Sequence, residues 1–264
     1  MYAFEYHRPQ SLSGAVADLA NPDAKALAGG MTLLPTMKQR LASPAALVDL
    51  NGLRELAAIA RGGDNLVIGA MAKHAEVAAS KDVKAAIPGL AELASLIGDP
   101  HVRNMGTIGG SIANNDPSAD YPAAALALGA TIVTNKRRIP AQDFFKGLFE
   151  TALETGELIT QVSFPIPQKA AYTKFRNPAS RYALVGVFVA RTKDGVRVAV
   201  TGAGQNGVFR LSAFETALNA NFSPSALDGL SVSADGLNSD IHADAAYRAH
   251  LIGVMAKRAV AAAG

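Results

Sequence analysis

LAGGMTLLPTMKQR, residues 27–40, and GDPHVRNMGTIGGSIANNDPSAD, residues 98–120, are the two stretches on which the fold turns. In the first, Lys25 to Ala28 has the length of a short strand and ends on Gly29-Gly30. Thr32 to Leu41 then has helical spacing, with Thr32 as the cap and Pro35 tolerated in the first turn. A strand therefore delivers two residues without side chains to a helix start. Backbone N–H groups there can point at an oxygen anion, with Thr32 Oγ1 as a further donor. The second stretch is rich in Gly, Asn, Asp and Pro and reads as a long loop, which in a compact domain is usually functional. Inside it Thr107-Ile108-Gly109-Gly110-Ser111 is a second segment of the same kind. Two such segments from different subdomains can close on one pyrophosphate, which needs many donors. A glycine pair by itself is most often just a turn, so on these residues a dinucleotide cleft is one reading among others.

A third glycine signal, Gly202-Ala203-Gly204-Gln205-Asn206-Gly207, fits GxGxxG and has Asp228 about 20 residues on. That fingerprint needs its glycines at a helix N-terminus within a parallel βαβ unit. Here a Ser212-Ala213-Phe214-Glu215 capping box starts the next helix several residues late, and the preceding strand arrives by a tight antiparallel hairpin. The segment reads as a glycine-rich strand end.

Working outward, Ser11 to Ala20 is helical by the spacing of Leu12, Ala15, Val16 and Leu19, and Ala46 to Leu50 is a second short strand. Residues 1–55 thus form a small β-α-β unit. From Leu56 the style changes. LAAIA and NLVIGAM flank Gly62-Gly63-Asp64-Asn65, a hairpin signal. Ala72 to Ala79 and Val83 to Ile97 are helical, with Pro88-Gly89 interrupting the second. Tyr121 to Leu128 is a short helix capped by Asp120, and strands near 130–134 and 157–164 close a unit spanning 56–168. In residues 169–264, YALVGVFVAR and VRVAVTGAG flank Thr192-Lys193-Asp194-Gly195 as a hairpin, and a last helix runs from about Ala243 to the end, with Tyr247, Leu251, Val254 and Met255 on one face.

Composition narrows the chemistry. Apolar residues make up 49% of the 264, enough for a globular protein with more than one core. Cysteine is absent, which removes disulfides, thiolate catalysis and cysteine-ligated iron–sulfur or zinc sites. Five histidines are scattered without metal-ligand spacing. Net charge is +3, tryptophan is absent and aromatics are 6%, a poor match to a nucleic-acid stacking surface. The Lys136-Arg137-Arg138 run reads as a solvated turn. No run of about 18 apolar residues marks a transmembrane helix, and MYAFEYHRPQSLSG lacks the basic start and apolar core of a secretory signal. The cytoplasm is the expected compartment.

Both glycine stretches resemble motifs of one family, the FAD-binding medium subunit or domain of the molybdenum hydroxylases, which includes xanthine dehydrogenase and carbon monoxide dehydrogenase. The second motif extends through Tyr121 to Ala130, and Tyr247-Arg248-Ala249-His250-Leu251 with Lys257-Arg258-Ala259 resembles the family's closing helix. The overall layout is nearest the carbon monoxide dehydrogenase-like branch. The resemblance implies an α+β fold: two FAD-binding subdomains of the vanillyl-alcohol oxidase type plus a C-terminal α+β domain. It implies that Leu27, Ala28, Gly29, Gly30, Met31, Thr32 and Leu33, with Thr107, Ile108, Gly109, Gly110 and Ser111, wrap the pyrophosphate and ribityl region of FAD. It places Asp120, Ile159, Lys174 and Tyr182 at the flavin, Lys174 as a cation tuning it. The bland readings are a helix cap for Asp120, a core strand position for Ile159, and surface or core roles for Lys174 and Tyr182. Two positions depart from the family pattern: Arg181 stands where an acidic residue is common, and Met31 where a polar one is.

The resemblance further implies that substrate is hydroxylated at a molybdenum cofactor in a large subunit. Electrons then pass two iron–sulfur clusters in a small subunit to FAD here, in a dimer of heterotrimers. No general acid, base or nucleophile is expected of this chain. The alternative is a stand-alone FAD-dependent oxidoreductase with its own substrate pocket.

Overall fold

The computed structural model describes all 264 residues and contains three main sheets, each beside its own apolar cluster. The first carries strands β1 (Glu5–His7), β2 (Ala24–Leu27) and β3 (Ala46–Asp49) in the parallel order β1-β3-β2. Helix α1 (Leu12–Asp18) starts where the Ser11 hydroxyl accepts from Gly14 N–H, and α2 (Leu33–Lys38) follows β2. Strand β1 is an addition to the sequence reading. It is three residues long and largely exposed, so neither length nor alternation announces it. Thr32 sits at the start of α2 but makes no capping hydrogen bond.

The second sheet is antiparallel, with β4 (Ile59–Gly62), β5 (Asn65–Gly69), β10 (Ile159–Pro165), β6 (Thr131–Thr134) and β7 (Arg138–Pro140) side by side in that order. Strands β4 (Ile59–Gly62) and β5 (Asn65–Gly69) form the expected hairpin, with Gly63 at φ +60°. The chain then runs through α3 (His74–Ala79), α4 (Lys81–Ala86) and α5 (Pro88–Ser95). The stretch expected as a long loop is mostly helical: α6 (Pro100–Met105) and α7 (Ile108–Asn114). The physical reason is capping. Asp99 accepts from Val102 N–H and Thr107 from Gly110 N–H, so each short helix has a starter that offsets its glycines and asparagines.

Helix α8 (Tyr121–Leu128) follows, buried on nearly every side. Asp120 does not cap it; its carboxylate is engaged elsewhere. Strands β6 (Thr131–Thr134) and β7 (Arg138–Pro140), helix α9 (Ala141–Phe144), the small hairpin β8 (Phe145–Gly147) and β9 (Glu150–Thr151), and β10 (Ile159–Pro165) complete this part. The β6–β7 turn is not simply solvated. Arg137 makes a two-pronged bond to the buried Glu157, both arms at 2.9 Å, and the Thr134 hydroxyl donates to the same carboxylate at 2.7 Å.

The third sheet is β11 (Lys169–Arg176), β12 (Ala183–Thr192), β13 (Gly195–Thr201) and β14 (Phe209–Arg210), in sequence order and antiparallel. It is covered on both faces, by α5 and α8 on one side and by α10 (Ser212–Ala220) and α11 (Ala245–Ala263) on the other. That explains the unbroken apolar run of β12: Val185, Val187 and Val189 enter one core while Phe188 and Ala190 enter the other. The expected capping box at Ser212 does not form. Glu215 instead accepts from Val198 N–H at 2.9 Å and pairs with Arg210, and the guanidinium adds a charge-assisted bond that the Ser212 N–H would not supply. The GxGxxG segment ends β13, bridges to Leu237, and leads into no helix.

Candidate functional site

The C-terminal ends of the parallel strands β2 and β3 open on a cleft of about 670 Å³, within the size range of cofactor sites. All the site residues expected from sequence line it except Ile108, whose side chain is fully buried in the core behind it. The two glycine stretches meet there. A Cβ on Gly29 would fall 2.1 Å from the Met105 carbonyl oxygen, and one on Gly110 would lie 3.8 Å from Ala28 Cβ. Gly29 is thus needed first for the approach of one backbone to another, and so is Gly109, whose Cβ would fall 2.7 Å from the Ala70 carbonyl oxygen. Gly30, at φ +71°, is the single position in the first motif where conformation also demands glycine.

The stretches differ in what they offer a ligand. The N–H groups of Gly29, Gly30, Met31 and Thr32 meet no acceptor in the protein, and neither does the Thr32 hydroxyl. In the second stretch the corresponding N–H groups are all taken: Ile108 donates to Ala72, Gly109 to Ala70, Gly110 to Thr107 Oγ1 and Ser111 to the Thr107 carbonyl. The expectation of two equivalent N–H cradles therefore fails, because α7 closes its own first turn and docks on the chain after β5. What this side presents is hydroxyl: Thr107, whose oxygen accepts while its proton stays free to donate, and Ser111.

At the far wall the third sheet contributes Lys174 on β11 and Tyr182 on the loop before β12. Lys174 is not a free cation. Its ammonium, on a side chain 1% exposed, bonds Asp120 at 3.0 Å and the Leu96 carbonyl at 3.2 Å, and Tyr172 OH donates to the same Asp120. Burial pushes the Asp120 carboxyl above its usual range, against the pull of Lys174 and Tyr172. The field reaching the cleft is that of a buried ion pair, weaker than that of the lone cation expected. Tyr182 stands half-exposed at the mouth, and burial together with the Asp116 and Asp120 carboxylates pushes its hydroxyl up. Ile159 opens β10 as a buried apolar wall.

His74 is a lining residue that the sequence reading left among scattered histidines. Burial, helped by Arg103, pushes it down to about 4, so the ring is neutral near pH 7. Its ring edge packs on Gly106, where a Cβ would lie 2.6 Å from Nε2. No motif of spacing could have selected it.

Residues 2–167 match the family described as the FAD binding domain in molybdopterin dehydrogenase. The chain belongs to this family. As a member it is 38% identical over 277 residues to the carbon monoxide dehydrogenase medium chain of Hydrogenophaga pseudoflava, covering 98% of this chain and 96% of that one. It is 34% identical to the nicotine 6-hydroxylase medium subunit of Paenarthrobacter nicotinovorans, covering 99% and 98%. It superposes on reconstituted CO dehydrogenase from Oligotropha carboxidovorans with a TM-score of 0.91 at 35% identity, covering 99% and 98%. The residues of this FAD-binding family member fit the cofactor on their own terms. Four unpartnered N–H groups, with the hydroxyls of Thr32, Thr107 and Ser111, supply the many donors a pyrophosphate requires.

Proposed function

We propose that this chain is the electron-transfer subunit of a molybdenum-containing hydroxylase, holding FAD in the cleft between the two glycine stretches. FAD, when bound, supplies the chemistry: it takes electrons singly and releases them in pairs. The chain's own residues bind and orient it. In this reading Gly29 to Thr32, Thr107 and Ser111 hold the pyrophosphate, the backbone of Leu27, Ala28, Leu33, Gly109 and Gly110 shapes the cleft, and Ile108 acts only through the core. Asp120, Ile159, Lys174 and Tyr182 frame the flavin ring. The units are residues 1–55, 56–168 and 169–264. The partners are an iron–sulfur small subunit and a molybdenum-binding large subunit, assembled as a dimer of heterotrimers in the cytoplasm. Support for the partners comes from relatives described as medium chains of such enzymes. The names of those two relatives point to different substrates, yet each matches this chain over nearly its whole length, which fits a subunit that does not touch substrate.

The observation that carries the reading is the row of unpartnered N–H groups at Gly29–Thr32 facing the second glycine stretch. The test is flavin selectivity. Purified chain is expected to bind one FAD and to bind FMN, which has no pyrophosphate, at least about 100-fold more weakly, a gap of about 2.7 kcal/mol. Equal affinity for the two would remove the pyrophosphate assignment.

A further inference from the structure

The row of N–H groups needs something to aim it, and the glycines cannot do so. Residues 29 and 30 carry no side chains, and Thr32 makes no cap. The anchor lies instead beyond the end of the neighbouring strand. The Asn51 side-chain amide donates to the Ala28 carbonyl oxygen at 3.1 Å, across 23 positions of sequence. The same nitrogen donates to Asp49 Oδ1 at 2.6 Å, and Asn51 N–H donates to that oxygen at 2.9 Å. The other oxygen of Asp49 accepts from Tyr6 OH at 2.5 Å.

We propose that Asn51 is a positioning residue for the cofactor: its amide pins the Ala28–Gly29 peptide so that Gly29 N–H faces the pyrophosphate site. This rests on the FAD reading above.

First, the amide has only one workable orientation. Its two neighbours, the Ala28 carbonyl and the Asp49 carboxylate, are acceptors, so nitrogen and not oxygen must face both. Asp49 remains an acceptor because hydrogen bonds from Tyr6 and Asn51 outweigh its burial and hold its carboxyl below the usual range. Second, a trans peptide is planar, with C=O and N–H pointing in opposite directions. Tying the Ala28 carbonyl to Asn51 turns the Gly29 N–H the other way, and that N–H has no protein acceptor. Third, no other hydrogen bond fixes the Ala28–Gly29 peptide, since the chain here has left β2, and packing against the Met105 backbone does not by itself set which way its N–H points. The Tyr6–Asp49–Asn51 chain thus uses β1 and β3 to fix the loop that leaves β2, within one parallel sheet.

The test compares Asn51→Leu and Asn51→Gln in the full chain. Leucine keeps the branched shape and the neutrality but has no donor; glutamine restores a donor. Asn51 is exposed but its amide also serves the buried Asp49, so Asn51→Leu should lower the thermal midpoint of the flavin-free protein only slightly and Asn51→Gln less, both by far less than the loss of FAD affinity. Asn51→Leu is expected to raise the FAD dissociation constant about tenfold or more, with glutamine recovering part of the loss. The ³¹P resonances of bound FAD should shift in Asn51→Leu, because the phosphate loses a fixed donor. Wild-type FAD affinity in Asn51→Leu would overturn the positioning role while leaving the FAD reading intact. So would weakened binding with unchanged ³¹P resonances, or a loss matched by a fall in the flavin-free midpoint. If the wild-type chain itself binds no FAD, the underlying reading fails instead.

Discussion

One methyl group at Gly29 is the sharpest perturbation of the cleft. A Cβ built there would lie 2.1 Å from the Met105 carbonyl oxygen, 2.6 Å from the carbonyl carbon and 2.7 Å from Gly106 Cα. Real Cβ atoms essentially never come closer than 3.0 Å, so the loop after β2 and the α6–α7 junction must part by at least 0.9 Å, the difference between 3.0 and 2.1. All three atoms are backbone, and no side-chain rotation relieves the clash. That displacement stretches an N–H···O contact of about 2.9 Å to about 3.8 Å, outside hydrogen-bond range. A hydrogen bond to a charged acceptor contributes roughly 1.5–3 kcal/mol. Losing two of the loop's donors in Gly29→Ala therefore weakens FAD binding by about 10²- to 10⁴-fold. The flavin-free fold loses less, about 1–3 kcal/mol of overpacking. Titration of flavin-free protein with FAD, followed by flavin fluorescence, measures the first effect and thermal unfolding the second. A Gly29→Ala chain that binds FAD within about threefold of wild type, under about 1 kcal/mol, would refute the convergence of the two motifs on the phosphates.

Three further outcomes are expected. Asp120→Asn leaves the Lys174 ammonium buried without its counter-ion, which should cost about 3–5 kcal/mol in thermal unfolding, and adding Lys174→Met should recover much of it; an unchanged midpoint in the single variant would show that the pair is not needed. Glu157 is held down to about 2, first by its hydrogen bonds from Arg137. A folded value below the ordinary one means that its stabilisation is present above about pH 4.5 and fades as pH falls toward 2. With Arg137 half-exposed, the contribution is of the order of 2 kcal/mol after screening, and the stability curves of wild type and Glu157→Gln should separate above pH 4.5 and converge near pH 2; parallel curves would exclude it. Finally, the exposed Asn206 of the GxGxxG segment changed to Ala should leave FAD affinity untouched, and a loss would move the cofactor site there. Gly204 is unsuitable for that control, because its Cβ would lie 2.6 Å from the Gly207 carbonyl oxygen.

Where the sequence reading succeeded, the signal was local. The β4–β5 and β12–β13 hairpins follow from Gly63 and Gly195, both at positive φ, between apolar runs. The closing helix follows from its apolar spacing, whereas α8, apolar on nearly every side, forms without the Asp120 cap expected for it. Where it missed, a distant partner intervened. Local sequence marks Asp120 and Glu215 as helix-start residues, but the structure gives their carboxylates to Lys174 and Tyr172 in one case and to Arg210 and Val198 in the other. The 98–120 stretch looks like loop because its glycines and asparagines depress helix propensity, while two four-residue caps suffice to start short helices.

The sequence by itself determined the family, through two glycine stretches in order along the chain, and with it the cofactor class. It also excluded an iron–sulfur cluster held by cysteines, since there are none. The tertiary structure decided which donors remain for that cofactor. Hydrogen bonds are exclusive, and whether the N–H of a glycine is free depends on what the fold has set against it. Gly109 and Gly110 look like Gly29 and Gly30 in sequence, yet the first pair spends its N–H groups on Ala70 and Thr107 while the second pair keeps its own. The same holds for charge: Lys174 is a cation in sequence and half of a neutral pair in the fold, because β11 lays it against the start of α8.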